Sequence, residues 1–485
     1  MRVGRVGEVL ITIGLALVSL GNISIDQRLV EAAKSQDYSV VRTLLQEGAD
    51  VNASEPDGTT ALHWATYWDD SETAALLIRR GARVDAKNEL GATPLWVSCI
   101  HGSTAMIERL LTAGADVNVA LPGAETPLMT AARTGIVDAV KVLLTHGANV
   151  NAKERSRGQT ALMWAVAQQH PEVVSLLIEY GADVRARSHI RRVVVNTGTA
   201  GGNANFDPSM VVIEERGGYT PLLFAARHGD VESARLLLDA GADVTETAPT
   251  GTSSLVVAAH SGHTALAMFL LKRGADPNAA DAGYTALHAA ILRGDHELLN
   301  ALLAHEADPN NRLLTATPAR RLGRDWAMDW TWIGATPFWM AAMFADATMM
   351  RHLAEAGAVP ILTMEDGTTP LMAPLSMKTR RPGSDPAQAE NSTLEAVRTA
   401  VELGVNVNAL NETGNAALHY AASRQLDSVV EFLVSRGARL NVKNDGGQTP
   451  LAMTAIQERR LGQGPQPDDR AKRTAELLRR LGAKE

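Results

Sequence analysis

Apolar residues recur along this chain as two short clusters in each thirty-odd positions. The stretch Ala124 to Ala152, AETPLMTAARTGIVDAVKVLLTHGANVNA, holds one full period. Leu128, Ala131 and Ala132 share one face of a short helix, and their small size lets a neighbour approach closely. Thr126 offers a capping hydroxyl, and Pro127 suits the first helical position, where no backbone N–H is needed. Thr134-Gly135 breaks the pattern. Val137, Val140, Val142, Leu143 and Leu144 then form the apolar face of a second helix running to about Thr145. Gly147 stops it, because glycine takes a left-handed position after a helix without steric cost. Ala148 to Asn151 leaves in an extended direction.

A helix pair of this size cannot bury two apolar faces alone, so the period must recur. The Thr-Pro-Leu position returns at Thr60, Thr93, Thr126, Thr160, Thr220, Ser253, Thr285, Thr336, Thr369, Ala416 and Thr449. Most spacings are 33, with single values of 32 and 34, and the longer ones of 60, 51 and 47 mark insertions. A Gly-Ala exit, usually followed by Asp, recurs in phase from Gly48 to Gly482. The pattern predicts an all-α solenoid of about twelve helix–turn–helix units with β-hairpin fingers between them.

These residues resemble the ankyrin repeat family, whose pattern is Gly-x-Thr-Pro-Leu-His, two helices, then Gly-Ala-Asp-Val-Asn. Eleven such units stand behind a half-matching first one, over roughly residues 26 to 485. The resemblance implies a binding scaffold without catalysis. It places partner contacts at the finger tips, at the residue before Thr and at the last two residues of each first helix.

The implied division is a signal peptide over 1–21 and one solenoid over 22–485. Within it, 26–56 is an N-terminal cap, 57–446 the internal repeats and 447–485 a C-terminal cap, both caps having polar outer faces. Arg2 and Arg5 precede the mostly apolar run Val9 to Leu20, and Ser19-Leu20-Gly21 puts small residues at the cleavage site. Twelve residues suit a signal sequence and are short for a membrane span, so a periplasmic or secreted protein is expected, with no stable span after cleavage. The formal charge of −8 argues against nucleic-acid and anionic-membrane partners.

Three insertions break the period. Residues 187–216 carry β-branched runs around a Gly- and Asn-rich middle and predict a lengthened hairpin, with Arg191 and Arg192 facing Glu214 and Glu215. Residues 313–333 hold Trp326, Trp330 and Trp332; residues 376–392, like 457–469, read as polar loops.

Motifs for catalysis are missing: HExxH, GxSxG, Walker A and a GxGxxG opening a βαβ unit do not occur. Cys99, the only cysteine, sits at a small core position. His63, His288 and His419 end the Thr-Pro-Leu-His motif and are assigned to hydrogen bonds between turns, as the family resemblance implies. His260 and His263 lack a third and fourth ligand for zinc. No cofactor and no metal are expected. Trp64 and Trp164, near their helix starts, are assigned to the core.

The expected partner site comprises Tyr67, Trp68, His101, Arg133, Tyr219, Arg227, Tyr284, Arg293 and Phe344 on the helix ends and fingers. Arg320, Arg324, Trp326, Trp330 and Trp332 on the second insertion complete it, since Trp, Tyr and Arg anchor protein interfaces. The reading is an exported monomer that binds another protein. Two alternatives stay open: an accessory or protective subunit of a secreted enzyme, and a small-ligand or enzymatic site built by the two insertions.

Overall fold

The computed structural model describes residues 24–196, 211–317, 328–376, 388–454 and 469–484. The expected signal peptide lies outside them, as do Arg320, Arg324, Trp326 and most of both polar loops. Twenty-four α-helices form among the described residues, in twelve consecutive pairs. Contacts group them into two compact units, divided in the sequence between Ala182 and Asp183.

The first unit pairs α1 (Ile25–Lys34) with α2 (Tyr38–Gln46), α3 (Ala61–Tyr67) with α4 (Ser71–Arg79), and α5 (Pro94–His101) with α6 (Thr104–Thr112). It ends on α7 (Pro127–Thr134) with α8 (Val137–Thr145) and α9 (Ala161–Ala167) with α10 (Pro171–Glu179). The second unit opens on β1 (Ile190–Asn196) and β2 (Val211–Gly217), then pairs α11 (Pro221–His228) with α12 (Val231–Asp239) and α13 (Ser254–Ser261) with α14 (Thr264–Lys272). It continues with α15 (Ala286–Arg293) and α16 (His296–Ala304), then α17 (Pro337–Met343) and α18 (Ala347–Glu355). The last pairs are α19 (Ala373–Ser376) with α20 (Ala389–Glu402), α21 (Ala417–Ser423) with α22 (Asp427–Ser435), and α23 (Pro450–Met453) with α24 (Asp469–Arg480).

Within each unit the first helices of successive pairs pack as one row and the second helices as another. The core fills the layer between them. Small residues such as Ala65, Ser98, Ala131 and Ala165 are buried on the first row, beside Leu62, Leu95, Leu128 and Leu162. Thr60, Thr93, Thr126 and Thr160 each accept a hydrogen bond from the backbone N–H three residues on, which satisfies one orphan donor per helix start.

A side-chain clasp joins neighbouring repeats. Asn118 Nδ2 donates to Gly147 O at 3.2 Å while its Oδ1 accepts from Asn149 N–H at 2.7 Å. Asn52, Asn278, Asn310 and Asn408 repeat this two-way contact with Gly81/Arg83, Glu306/Asp308, Gly357/Val359 and Gly437/Arg439. A side-chain amide presents a donor and an acceptor on separate atoms of one fork, which suits the Asn of the Gly-Ala-Asp-Val-Asn exit to this contact. Asp85, at the same position, can only accept, from Asp116 N–H at 3.0 Å.

The turn between paired helices needs a left-handed residue. Gly102, Gly135 and Gly229 supply it, but Gln36, Asp69, Gln169, Ala345 and Gln425 occupy the same position with φ between 54° and 61°. A methyl side chain gains nothing there, so Ala345→Gly is expected to stabilise the second unit by about 0.5–1 kcal/mol. Thermal melting checks this, and a lower melting temperature would contradict it.

Two sequence expectations are corrected. β1 and β2 do pair antiparallel, but Arg191 lies opposite Arg216 and Val193 opposite Glu214. Arg192 does meet an acid, Glu215, at 3.3 Å. The polar loop assigned to 376–392 ends early, because α20 already begins at Ala389. Nothing in Ala389 to Ser392 breaks a helix, and Thr393 Oγ1 donates back to Ala389 O at 2.7 Å.

Candidate functional site: helix ends and fingers

In the first unit the ends of α3 and α5 bring four rings together. Tyr67 stands edge-on to Trp64, Trp68 and His101, at centroid distances of 5.8, 4.8 and 5.1 Å. Trp68 remains 42% exposed although its Nε1–H donates to Lys34 O at 3.0 Å. His101 is exposed and Tyr67 half-buried. Trp64 and Trp164 are not core, contrary to the sequence expectation; both are half-buried and face the fingers. Trp64 Nε1–H donates to Glu55 Oε2 at 3.0 Å, and Lys34 Nζ lies 5.0 Å from the ring centroid and 2.8 Å from Glu55 Oε1. That hydrogen bond pushes the ammonium above its ordinary pKa. Arg133 sits 5.2 Å from the Trp164 centroid and 3.9 Å from Glu125.

Beside these rings the fingers enclose a groove of about 590 Å³, lined among others by Leu90, Trp96, Leu121, Pro122, Glu125 and Trp164. Buried Glu154 lies at its edge. Burial opposes its charge, but hydrogen bonds from the backbone N–H groups of Gln159, Ser156 and Arg157 outweigh that and leave its pKa below the ordinary value.

In the second unit the expected residues separate. Tyr219 is half-buried and edge-on to Phe224 at 5.9 Å, Tyr284 lies 6.1 Å from His260, and Arg227 is exposed. Arg293 is engaged: its guanidinium donates to His260 O and Ser261 O, both at 3.0 Å, capping the end of α13. His263 Nε2 does the same for Arg227 O at 3.1 Å. Trp332 is buried against Phe344, edge-on at 5.7 Å, so it covers the adjacent helix instead of offering a free face. Trp330, in the same 3₁₀ turn, is 55% exposed, and Ile333, which follows that turn, is exposed as well.

Among the described residues no three His, Cys, Asp or Glu gather as metal ligands. Cys99 is fully buried, and burial pushes its thiol far above the ordinary range. No helix of the described residues is long and apolar enough to cross a membrane.

A family model described as "Ankyrin repeats (3 copies)" matches residues 29–121, 120–188, 222–312 and 387–463. The chain belongs to the ankyrin repeat family. Ankyrin repeats generally mediate protein–protein interaction and typically lack catalysis of their own. The chain is 35% identical to human Ankyrin repeat and SOCS box protein 16 over 237 residues, 43% of this chain and 48% of that protein. It is 26% identical to the E3 ubiquitin-protein ligase KEG of Arabidopsis thaliana over 275 residues, 52% of this chain and 16% of the other. The chain thus spans less than half the length of either relative. A solved human ASB11 ankyrin repeat domain aligns at 27% identity and TM-score 0.42, covering 51% of this chain and 98% of that one.

The ankyrin register explains the rings inside the motif. His63 Nδ1 accepts from Thr60 N–H at 3.1 Å and its Nε2 reaches Ala92 O in the next repeat at 3.0 Å. His419 repeats this with Ala416 N–H and Gln448 O. Trp339 holds the same position; it is fully buried and its Nε1–H donates to Thr368 O at 3.1 Å. Trp96 holds it too, yet its ring is half-exposed and its Nε1 meets no acceptor among the described residues. The sequence reading missed Trp96 and its groove. The available signal was a Trp replacing His directly after Thr93-Pro94-Leu95.

Proposed function

We propose that this chain is a non-catalytic ankyrin scaffold, exported to the periplasm or secreted, that holds a partner protein against its fingers and first-helix ends. The observation that carries the reading is the aromatic run of Trp64, Tyr67, Trp68 and His101. It is held edge to edge before any partner arrives and is partly open to solvent. Ordered rings bind with little further loss of side-chain entropy, and Trp and Tyr dominate interface energetics. Export is supported by Arg2, Arg5 and the apolar run to Leu20.

The test uses the full chain as bait on extracts of its native host. Tyr67→Ala with Trp68→Ala is expected to reduce capture of the main partner at least tenfold while the melting temperature stays nearly unchanged. N-terminal sequencing should find the mature chain starting near Asn22. Undiminished capture by the double variant, or intact Met1 on the native protein, contradicts the corresponding half of the proposal.

A further inference from the structure

We propose that the groove of the first unit accepts a lysine or arginine side chain from an extended, leucine-rich segment of another protein, seated on the face of Trp96 beside Glu125. The inference rests on the scaffold reading and names the chemistry of the partner segment.

The first unit contains the contact in miniature. Lys34 lies over Trp64, and Glu55 binds the ammonium through one oxygen and the indole N–H through the other. The carboxylate therefore fixes the ring and neutralises the cation together. On the groove's Trp164 side, Arg133 likewise lies over Trp164 with 3.9 Å between it and Glu125, while the indole N–H goes to Gln159 Oε1 instead of the carboxylate. Both cations occupy the same place, near the end of a first helix, and lie against the ring of the following repeat.

Trp96 stands one position earlier in its repeat than Trp64 and Trp164 do in theirs. Among the described residues no ammonium or guanidinium lies over its ring, which opens into the groove between the fingers. Trp339, in the same register, is pinned by its bond to Thr368 O and fully enclosed. Trp96 is not pinned in this way. Glu125 lines the groove with it, and apart from the long Arg133 contact its Oε1 is engaged by the Thr130 hydroxyl at 2.9 Å. Glu154 adds a second carboxylate, kept charged by three backbone N–H groups. Arg157, on the rim, and Arg133, over Trp164, are the opposing positive charges, and both lie on the Trp164 side.

The rest of the lining selects the neighbours of that basic residue. Leu90, Leu121 and Pro122 are apolar and belong to successive fingers. An extended segment places alternate side chains on one face, so leucines two positions from the lysine would meet those walls. A ring face attracts a cation through its quadrupole, and the attraction grows as water is excluded.

Three fluorescein-labelled hexapeptides test the idea by anisotropy with the purified full chain: alternating leucine and lysine, the same with acetyl-lysine, and the same with glutamate. The lysine peptide is expected to bind saturably. Acetylation, Trp96→Leu and Glu125→Gln should each weaken it about tenfold, whereas Glu232→Gln, at an exposed helix position of the second unit, should leave it unchanged. Equal binding of the acetylated peptide, or undiminished binding by Glu125→Gln with an unchanged melting curve, overturns the proposal. Should Trp96→Leu fail to fold, Glu125→Gln and acetylation decide it. A chain that captures its partner through Tyr67 and Trp68 yet ignores all three peptides overturns this inference alone and leaves the scaffold standing.

Discussion

Replacing Trp339 by alanine is expected to destabilise the second unit by about 3–5 kcal/mol, the usual loss for truncating a large core aromatic. The ring is fully enclosed between repeats, and its Nε1–H satisfies Thr368 O. Alanine would leave both a void and an unpaired carbonyl. Trp339→Phe keeps most of the volume and drops only the hydrogen bond, so its loss should be nearer 1–2 kcal/mol, about the cost of one buried unpaired group. Trp339→His restores the motif residue and should recover part of the difference. Hydrogen exchange gives the readout, because a repeat array need not unfold in one step. Protection should fall first in α15 to α20. An alanine variant within 1 kcal/mol of the parent would show that the indole is not core.

Acid is expected to unfold this protein through its buried histidines. Burial pushes His288 down to about 4 from an ordinary 6.5, and it depresses His63 and His419 in the same direction. Geometry adds a reason: Nδ1 of each ring accepts a backbone N–H, so a second ring proton would point N–H at N–H. His288 Nε2 faces the carbonyls of Ala335 and Asn311 without reaching hydrogen-bond geometry to either. Above pH 6.5 both folded and unfolded forms are neutral and nothing is lost. Between 6.5 and 4 the unfolded chain takes up protons that the folded chain refuses, so stability falls with pH. Below 4 the folded ring protonates as well and the loss levels off. His288 alone accounts for up to about 3 kcal/mol. Urea unfolding at pH 7 and pH 4.5 should show the drop, and His288→Asn, which cannot titrate, should remove a large part of it. An unchanged pH dependence in that variant would show that acid acts elsewhere.

Much of this was legible in the sequence because each repeat announces its own boundaries. Thr-Pro-Leu marks a capped helix start and Gly-Ala a stop, and the pairs that carry the motif begin one residue after its Thr position, except that α19 starts late, at Ala373. The site was harder to read, for a physical reason. Whether an indole faces water depends on which neighbours the next repeat supplies. Trp332 and Trp330 are two residues apart on one turn, yet one is covered by Phe344 and the other is open. Trp96 and Trp339 share a register, and only Trp339 finds a carbonyl. Arg293 looked like an interface anchor, but its guanidinium closes a helix end thirty-odd residues away, which no local pattern records.

The asparagine clasp is indifferent to the length of chain between its two ends. Asn278 reaches Glu306 O over 28 residues at 2.9 Å, and Asn310 reaches Gly357 O over 47 residues at 3.0 Å, with the tryptophan-bearing insertion lying between them in the sequence. Lengthening a closed loop adds only about 0.6 kcal/mol per doubling. An ancestral array could therefore acquire a whole new segment at a finger in a single event and keep its stack intact. Novelty in such a lineage would enter at the junctions first, and the helices would remain as the record of what came before.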